Sequence, residues 1–362
     1  MSKRKKKMST TAKWAIAFLV ELAVLITMVV GYFVYWTNSK LGNIQHVEIQ
    51  VENVDINEGA NEAQKGYTTI ALFGIDARSN TSMAEGNRTD AIMIASINND
   101  TKEVKIVSVY RDTLLEIRDG SSITSKVNAA YSYGGPELAL KTLNANLDLE
   151  ITEFVTVNFL ALTKAVDDLG GIVINVKSSE LPVLNSSIQE QIGVTGIYSD
   201  GVFTTGDLLL NGTQATAYAR IRSTDRGDIT RTERQREVIA KMVAKAKKSD
   251  LSTIEDIIDD VFPNVYTSLE RKEIISLASS LFSYSMGDTA GFPFVYVPIS
   301  TDAKGAVLVP ANLEANVSAL HEFLFDTKDY DPSQTVKNIS RQIENETGVA
   351  EQEINVEIFN PQ

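Results

Sequence analysis

The chain has 362 residues, 43% of them hydrophobic, and a formal net charge of -13, so it can bury a large core and is too acidic overall to favour a nucleic-acid surface. It has no cysteine, which excludes disulfides, thiolate metal sites and cysteine nucleophiles together. The two histidines, His46 and His321, are too few and too far apart for a histidine metal cluster or a Ser-His-Asp relay, and both read as structural or surface residues.

Charge is unevenly placed. Residues 1–13 form a basic tail with Lys3, Arg4, Lys5, Lys6, Lys7 and Lys13, and an almost continuous apolar run follows from Trp14 to Trp36. At about 1.5 Å per residue that run is long enough to cross a hydrocarbon core of roughly 30 Å. The preceding bases place the amino terminus in the cytoplasm and everything after the run outside it. Thr37-Asn38-Ser39 is a poor small-x-small cleavage site, so the segment reads as an uncleaved anchor rather than a signal peptide. Glu21 inside it reads as a protonated carboxyl near the cytoplasmic edge.

Residues 37–66 are polar and without sustained periodicity, and read as a stalk or lead-in. Three β-rich runs follow at Thr69–Ile75, Ala91–Ile97 and Glu103–Val109, with a turn signal at Asn98-Asn99-Asp100 between the last two. The pattern then alternates. A helix is predicted from Pro136 to Leu147, a strand at Glu153–Val157, a helix at Leu160–Leu169 and a strand at Ile172–Val176. Residues 177–207 read as loop with short strands. Helices are predicted at Asn211–Arg222, Thr230–Lys248, Leu251–Asp260 and Leu269–Ser285, strands near Phe294–Val297 and Ala306–Val309, and a final helix at Ala311–Phe325. From Asp326 the chain turns polar and reads as a weakly structured tail to residue 362. The alternation argues for an α/β layered body over residues 67–325.

Charged residues concentrate at the ends of the early strands: Asp76 and Arg78 after the first, Arg88 and Asp90 at the start of the second, Arg111 and Asp112 after the third. If the second strand runs antiparallel to its neighbours, these share one edge. A second concentration is Arg220, Arg222, Arg226, Arg231, Arg234 and Arg236, with Asp225, Asp228 and Gln235 among them. Converging guanidinium forks suit a pyrophosphate, and two carboxylates among them suit a divalent cation between protein and phosphate. Surface ion pairing is the plainer reading of such runs. No Walker-type loop and no helix-turn-helix pattern is present, so the residues themselves support an outward-facing site for an anionic ligand.

The succession Gly74-Ile75-Asp76-Ala77-Arg78, Arg88-Thr89-Asp90, Ser108-Val109-Tyr110-Arg111-Asp112, Lys126-Val127-Asn128-Ala129-Ala130-Tyr131, Gly134-Gly135, Asp168-Leu169-Gly170-Gly171 and Asn211-Gly212 through Arg220-Ile221-Arg222 to Arg231 and Arg234-Gln235 closely resembles the LytR-CpsA-Psr family. The resemblance implies an α/β/α sandwich with a mixed central sheet, behind one transmembrane helix, in a Gram-positive cell envelope. It also implies transfer of an undecaprenyl-pyrophosphate-linked glycopolymer, such as wall teichoic acid or capsular polysaccharide, to peptidoglycan. Carried over by motif, Asp76 and Asp90 would hold Mg²⁺, or Mn²⁺ in its place. Arg78, Arg88, Arg111, Arg220, Arg222 and Arg231 would bind or activate the pyrophosphate, with Arg234 and Gln235 as further contacts and Asp225 or Asp112 as general base. Tyr110 stands where the family often has Pro. Val238, Ile239, Met242 and Val243 fit either a lipid tunnel or ordinary core packing. Three other readings stay open: a lipid-pyrophosphate hydrolase, a noncatalytic glycopolymer-binding module and a transcriptional attenuator, the last at odds with an outward-facing acidic domain.

Overall fold

The computed structural model describes residues 44–76, 83–84, 86–222, 227–270, 272–274, 276 and 283–349. The anchor predicted at 14–36 lies outside them, as do Arg78, Asp225 and Arg226; among the described residues no helix is long and apolar enough to cross a membrane.

A seven-stranded mixed sheet organises the body. Its strands are β1 (Gln45–His46), β2 (Tyr67–Ile75), β3 (Thr89–Asn98), β4 (Glu103–Val109), β7 (Glu153–Asn158), β10 (Val265–Thr267) and β11 (Ser285–Phe292), in the order β1-β10-β7-β2-β3-β4-β11. The pairs β2–β3 and β3–β4 are antiparallel, as the edge argument required. Strand β2 runs parallel to β7, and β4 parallel to β11.

Period-two patterning sends alternate residues of the central strands to opposite faces. Ile70, Leu72, Met93, Ala95, Val104 and Ile106 enter one core, while Ala71, Phe73, Ile92, Ile94, Val107 and Val109 enter the other. Helices α2 (Phe159–Asp168), α3 (Leu181–Thr195), α4 (Gly212–Arg220), α5 (Asp228–Ala246) and α6 (Leu251–Val261) supply residues to the first core, with the ribbon β8 (Ile172–Val176) and β9 (Gly206–Leu210). The second core is closed by α1 (Asn128–Leu147), α7 (Leu313–Phe325) and α8 (Gln334–Thr347). The hairpins β5 (Leu114–Ile117) with β6 (Ile123–Lys126) and β12 (Tyr296–Thr301) with β13 (Gly305–Pro310) flank it. The result is a sheet between two layers, an α/β/α arrangement. Helix α1 is broken at Gly134 and Gly135, where φ is −149° and +63°. Its second half starts at Pro136, as predicted, because Pro accepts a first-turn position without losing a bond.

Several elements differ from the sequence reading. Within 177–207, taken as loop, residues 181–195 form α3: Pro182 opens it, and Leu184, Ile188 and Gln191 are buried along one side. The helix predicted over Leu269–Ser285 is helical at 272–274 and 276, but Ser285 opens β11, which gains strand geometry by pairing with β4. The polar stretch beyond Asp326 holds α8, whose Val336, Ile339 and Ile343 are buried in the second core. The segment 44–66 also packs on the body. Val54 is fully buried, its carbonyl accepts from Asn144 Nδ2 at 2.9 Å, and Asn57 Nδ2 donates to Asp148 Oδ1 at 2.6 Å. Val238, Met242 and Val243 lie in the first core, 0%, 2% and 3% exposed, as ordinary packing residues.

Candidate functional site

Strand ends bring the charged residues together. Ile75 pairs with Thr89 and Ile92 with Val109, so Asp76, Asp90 and Arg111 emerge at one edge of the sheet. Between Gly74 and Ile75 the register shifts: Gly74 faces Ala91 while Ile75 faces Thr89, which leaves Asp90 as the extra residue of a bulge. A bulge re-aims a side chain out of the pleat. Here it turns the whole residue toward the arginines.

The second arginine group is delivered by α4 and α5. Helix α4 opens on a capping box, Asn211 accepting from the Gln214 amide and Gln214 from the Asn211 amide, and Arg220 is its last residue. Arg231 lies one turn into α5 and is 1% exposed. Asp90 Oδ1 accepts from Arg111 Nη1 at 2.7 Å and from Arg222 Nη2 at 3.0 Å, with Arg231 Nη1 at 3.4 Å. Arg231 Nη2 also donates to the Asp90 carbonyl at 2.9 Å and lies 2.6 Å from Asp228 Oδ1. Burial works against ionisation of Asp90, but Arg231, Arg222 and Arg111 outweigh it and hold its carboxyl below the usual range. Burial brings Arg231 down to about 10, opposed by Asp228 and Asp90. Burial likewise pushes the Asp228 carboxyl up despite Arg231 and Arg111.

A cleft of about 400 Å³ opens beside this cluster, bounded by Asp76, Asp90, Arg220 and Arg222 on one side and by Val183, Ser186, Ser187 and Glu190 of α3 on the other. Arg220 donates to Gln191 Oε1 at 2.8 Å, lies 3.6 Å from Asp76 Oδ2 and stacks 4.5 Å above the Phe159 ring. Three guanidinium groups around one carboxylate, in a cleft with a second carboxylate, are a set of groups whose chemistry suits a polyanion and a hard cation.

The LytR_cpsA_psr family model matches residues 30–294. The chain belongs to the LytR_cpsA_psr family. It is 31% identical over 270 residues to the polyisoprenyl-teichoic acid--peptidoglycan teichoic acid transferase TagU of Enterococcus faecalis, covering 73% of this chain and 82% of that protein. It is 28% identical to the transferase TagT of Bacillus subtilis, covering 76% of this chain and 84% of the other. A solved structure of TagT bound to LI-WTA superposes with a TM-score of 0.55 at 23% identity, covering 84% of this chain and all of that one. At that identity the superposition establishes the shared fold.

Within this member of the LytR_cpsA_psr family, Asp90, Arg111, Arg222 and Arg231 form one connected group, Asp76 and Arg220 pair with each other on the same cleft, and Arg88 is exposed at the foot of β3. Arg234 is held differently: its Nε and Nη2 lie 3.0 and 2.9 Å from Glu180 Oε1, its Nη1 donates to the Ile221 carbonyl, and it lies over the Tyr218 ring. Gln235 is buried, and its Oε1 has no hydrogen-bond partner among the described residues. Asp112 is engaged by Lys126 Nζ at 2.8 Å and by Arg111 Nε at 3.4 Å. Two features gained no role in the sequence reading, which named Asp228 only as a companion of the arginines. Asp228 sits between Arg111 and Arg231, at 3.3 and 2.6 Å, and its position i−3 from Arg231 was a readable signal. The α3 wall was hidden by the loop reading of 177–207, although Val183, Ser186, Ser187 and Glu190 follow helical spacing.

Proposed function

We propose that this chain transfers a polyprenyl-pyrophosphate-linked glycopolymer to peptidoglycan, anchored by residues 14–36 with its catalytic domain outside the cell. The observation that carries this reading is the convergence of Arg111, Arg222 and Arg231 on Asp90 at the mouth of the cleft. The names of the TagU and TagT relatives support the same substrate class.

The arginines have a defined task in such a transfer. Arg111, Arg220, Arg222 and Arg231 bind the non-bridging oxygens of the diphosphate, held there by ion pairs that the substrate's phosphates replace in part. An acceptor hydroxyl attacks the phosphorus bonded to the polymer. A new O–P bond forms, the bond from that phosphorus to the bridging oxygen breaks, and polyprenyl phosphate departs with the bonding pair. The hydroxyl proton passes to a carboxylate, for which Asp228, Asp112 and Asp225 are the candidates. In-line displacement of this kind depends mainly on positioning and charge neutralisation.

A divalent cation fits the residues present. Asp76 Oδ1 is buried and has no hydrogen-bond partner among the described residues, and Asp90 shares its cleft. Among the described residues no group of three or more His, Asp or Glu could form a complete cage. Mg²⁺ suits that set because it commonly takes one or two carboxylates and completes its shell with water and phosphate oxygens. Asp76 and Asp90 would hold it, and it would supply neutralisation of charge on the diphosphate.

The test is incubation of the full chain in detergent with labelled lipid-linked polymer, peptidoglycan and Mg²⁺. Polymer-peptidoglycan conjugate forms with wild type and is lost with Asp90→Ala or with a chelator. Free polymer in place of conjugate would mean hydrolysis, and no product at all would end the catalytic reading.

A further inference from the structure

Helix α3 buries one side and offers another. Leu184, Ile188 and Gln191 pack inward, whereas Val183, Ser186, Ser187 and Glu190, spaced i, i+3, i+4 and i+7, form the cleft wall opposite the arginines. That wall is unusual in composition for a solvent-facing helix side: two short hydroxyl groups and one carboxylate, with no base to complement bound phosphate. Glu190 is exposed and makes no ion pair among the described residues. Bound phosphates on the facing arginines would repel it, so the α3 wall is matched to a neutral part of the ligand.

The helix is also fixed relative to the phosphate side. Fully buried Gln191 accepts from Arg220 Nη1 at 2.8 Å and donates to Thr163 Oγ1 at 3.3 Å, which ties α3 both to an arginine of the site and to α2. Preorganised walls of this kind favour specific recognition. The cleft volume of about 400 Å³ falls within the range of small-ligand sites.

We propose that Ser186, Ser187 and Glu190 form a saccharide subsite, hydrogen-bonding the hydroxyls of the sugar adjacent to the reacting phosphorus; this rests on the transfer reaction proposed above. A carboxylate accepts from sugar hydroxyls, serine hydroxyls both donate and accept, and Val183 offers an apolar contact for a ring face. The sugar belongs either to the polymer donor or to the peptidoglycan acceptor, and both present the same hydroxyl chemistry.

Glu190→Gln and Ser186→Ala, both at exposed positions, separate the cases in the full chain. With donor and acceptor concentrations varied independently, loss of a charged or neutral hydrogen bond raises one KM by roughly tenfold or more while kcat moves much less. A rise in donor KM assigns the subsite to the polymer, and a rise in acceptor KM assigns it to peptidoglycan. A second arm is independent of turnover: calorimetric titration with a prenyl-pyrophosphate-linked disaccharide and with the same prenyl pyrophosphate lacking sugar. The sugar adds affinity in wild type, and that increment shrinks in Glu190→Gln. Wild type that makes no conjugate sinks the transfer reading alone. Unchanged KM values, or in an inactive chain an unchanged sugar increment, overturn the subsite.

Discussion

Arg231 holds Asp90 at two points, with Nη2 donating to its backbone carbonyl at 2.9 Å and Nη1 lying 3.4 Å from its carboxylate. The contact joins a buried helix residue to a bulged strand residue, so it fixes α5 against the sheet edge as well as setting the charge of the cleft. Arg231→Ala would leave Asp90 and Asp228 buried with less compensation. Melting should show a loss of about 3 kcal/mol or more, and conjugate formation should fall on the order of 100-fold. Arg231→Lys keeps the charge but not the two-point grip, and should fall between. A wild-type melting temperature in Arg231→Ala would refute this account.

Gly212 marks a close approach of α4 to α2. A Cβ there would lie 1.9 Å from the Thr163 carbonyl oxygen and 2.8 Å from the Asp167 carboxylate. The first neighbour is backbone and cannot turn aside, so Gly212→Ala must push α4 outward and carry Arg220 with it. We expect lower stability together with weaker pyrophosphate binding. Unaltered binding by titration with inorganic pyrophosphate would show that α4 does not position Arg220.

His321 should govern part of the acid sensitivity. It is fully buried, stacks on Tyr330 at 3.7 Å, and its Nε2 lies 3.0 Å from the Leu147 carbonyl, while Nδ1 has no hydrogen-bond partner among the described residues. Burial lowers its pKa to about 4 from the ordinary 6.5, against the Leu147 hydrogen bond. The folded state thus takes up a proton less readily than the unfolded one. Its contribution is complete above pH 6.5 and is lost as pH falls toward 4, on the order of 3 kcal/mol across that window. His321→Gln should flatten the stability-versus-pH curve between those values, even if it lowers the plateau. A curve of unchanged slope would exclude His321 as the titrating group.

Helix α8 should behave as part of the domain. Ile339 is 3% exposed within the second core, and Glu346 pairs with Lys304 of the β12–β13 turn. Ile339→Ala should therefore cost about 2–4 kcal/mol in denaturant unfolding. An effect below 0.5 kcal/mol would mean that α8 contributes little packing.

The legible parts of this molecule were those where local pattern and tertiary role coincide. Strands β2 to β4 are β-rich apolar runs, buried on both faces, and their ends displayed Asp76, Asp90 and Arg111 on one edge. Elements decided by pairing were opaque: Ser285–Phe292 contains Gly287, Asp288 and Gly291, a poor strand sequence that β4 recruits as a neighbour. Helices α3 and α8 were obscured by polar composition, although Leu184 and Ile188 in one and Val336, Ile339 and Ile343 in the other have helical spacing. The bulge at Asp90 had no sequence signature, because it is a property of register between two strands.

The direction of strand β1 has a last consequence. Gln45 pairs with Tyr266, Tyr266 with Thr156, and Thr156 with Phe73, so the chain arrives from the end of the sheet where β2 delivers Asp76. Only seven residues, 37–43, separate the proposed anchor from Ile44, a leash of at most about 29 Å even when taut. With residues 14–36 in a bilayer, as proposed, such a leash would hold the molecule face-down over it, where a headgroup would travel a short distance to be caught and the long prenyl tail would never leave oil.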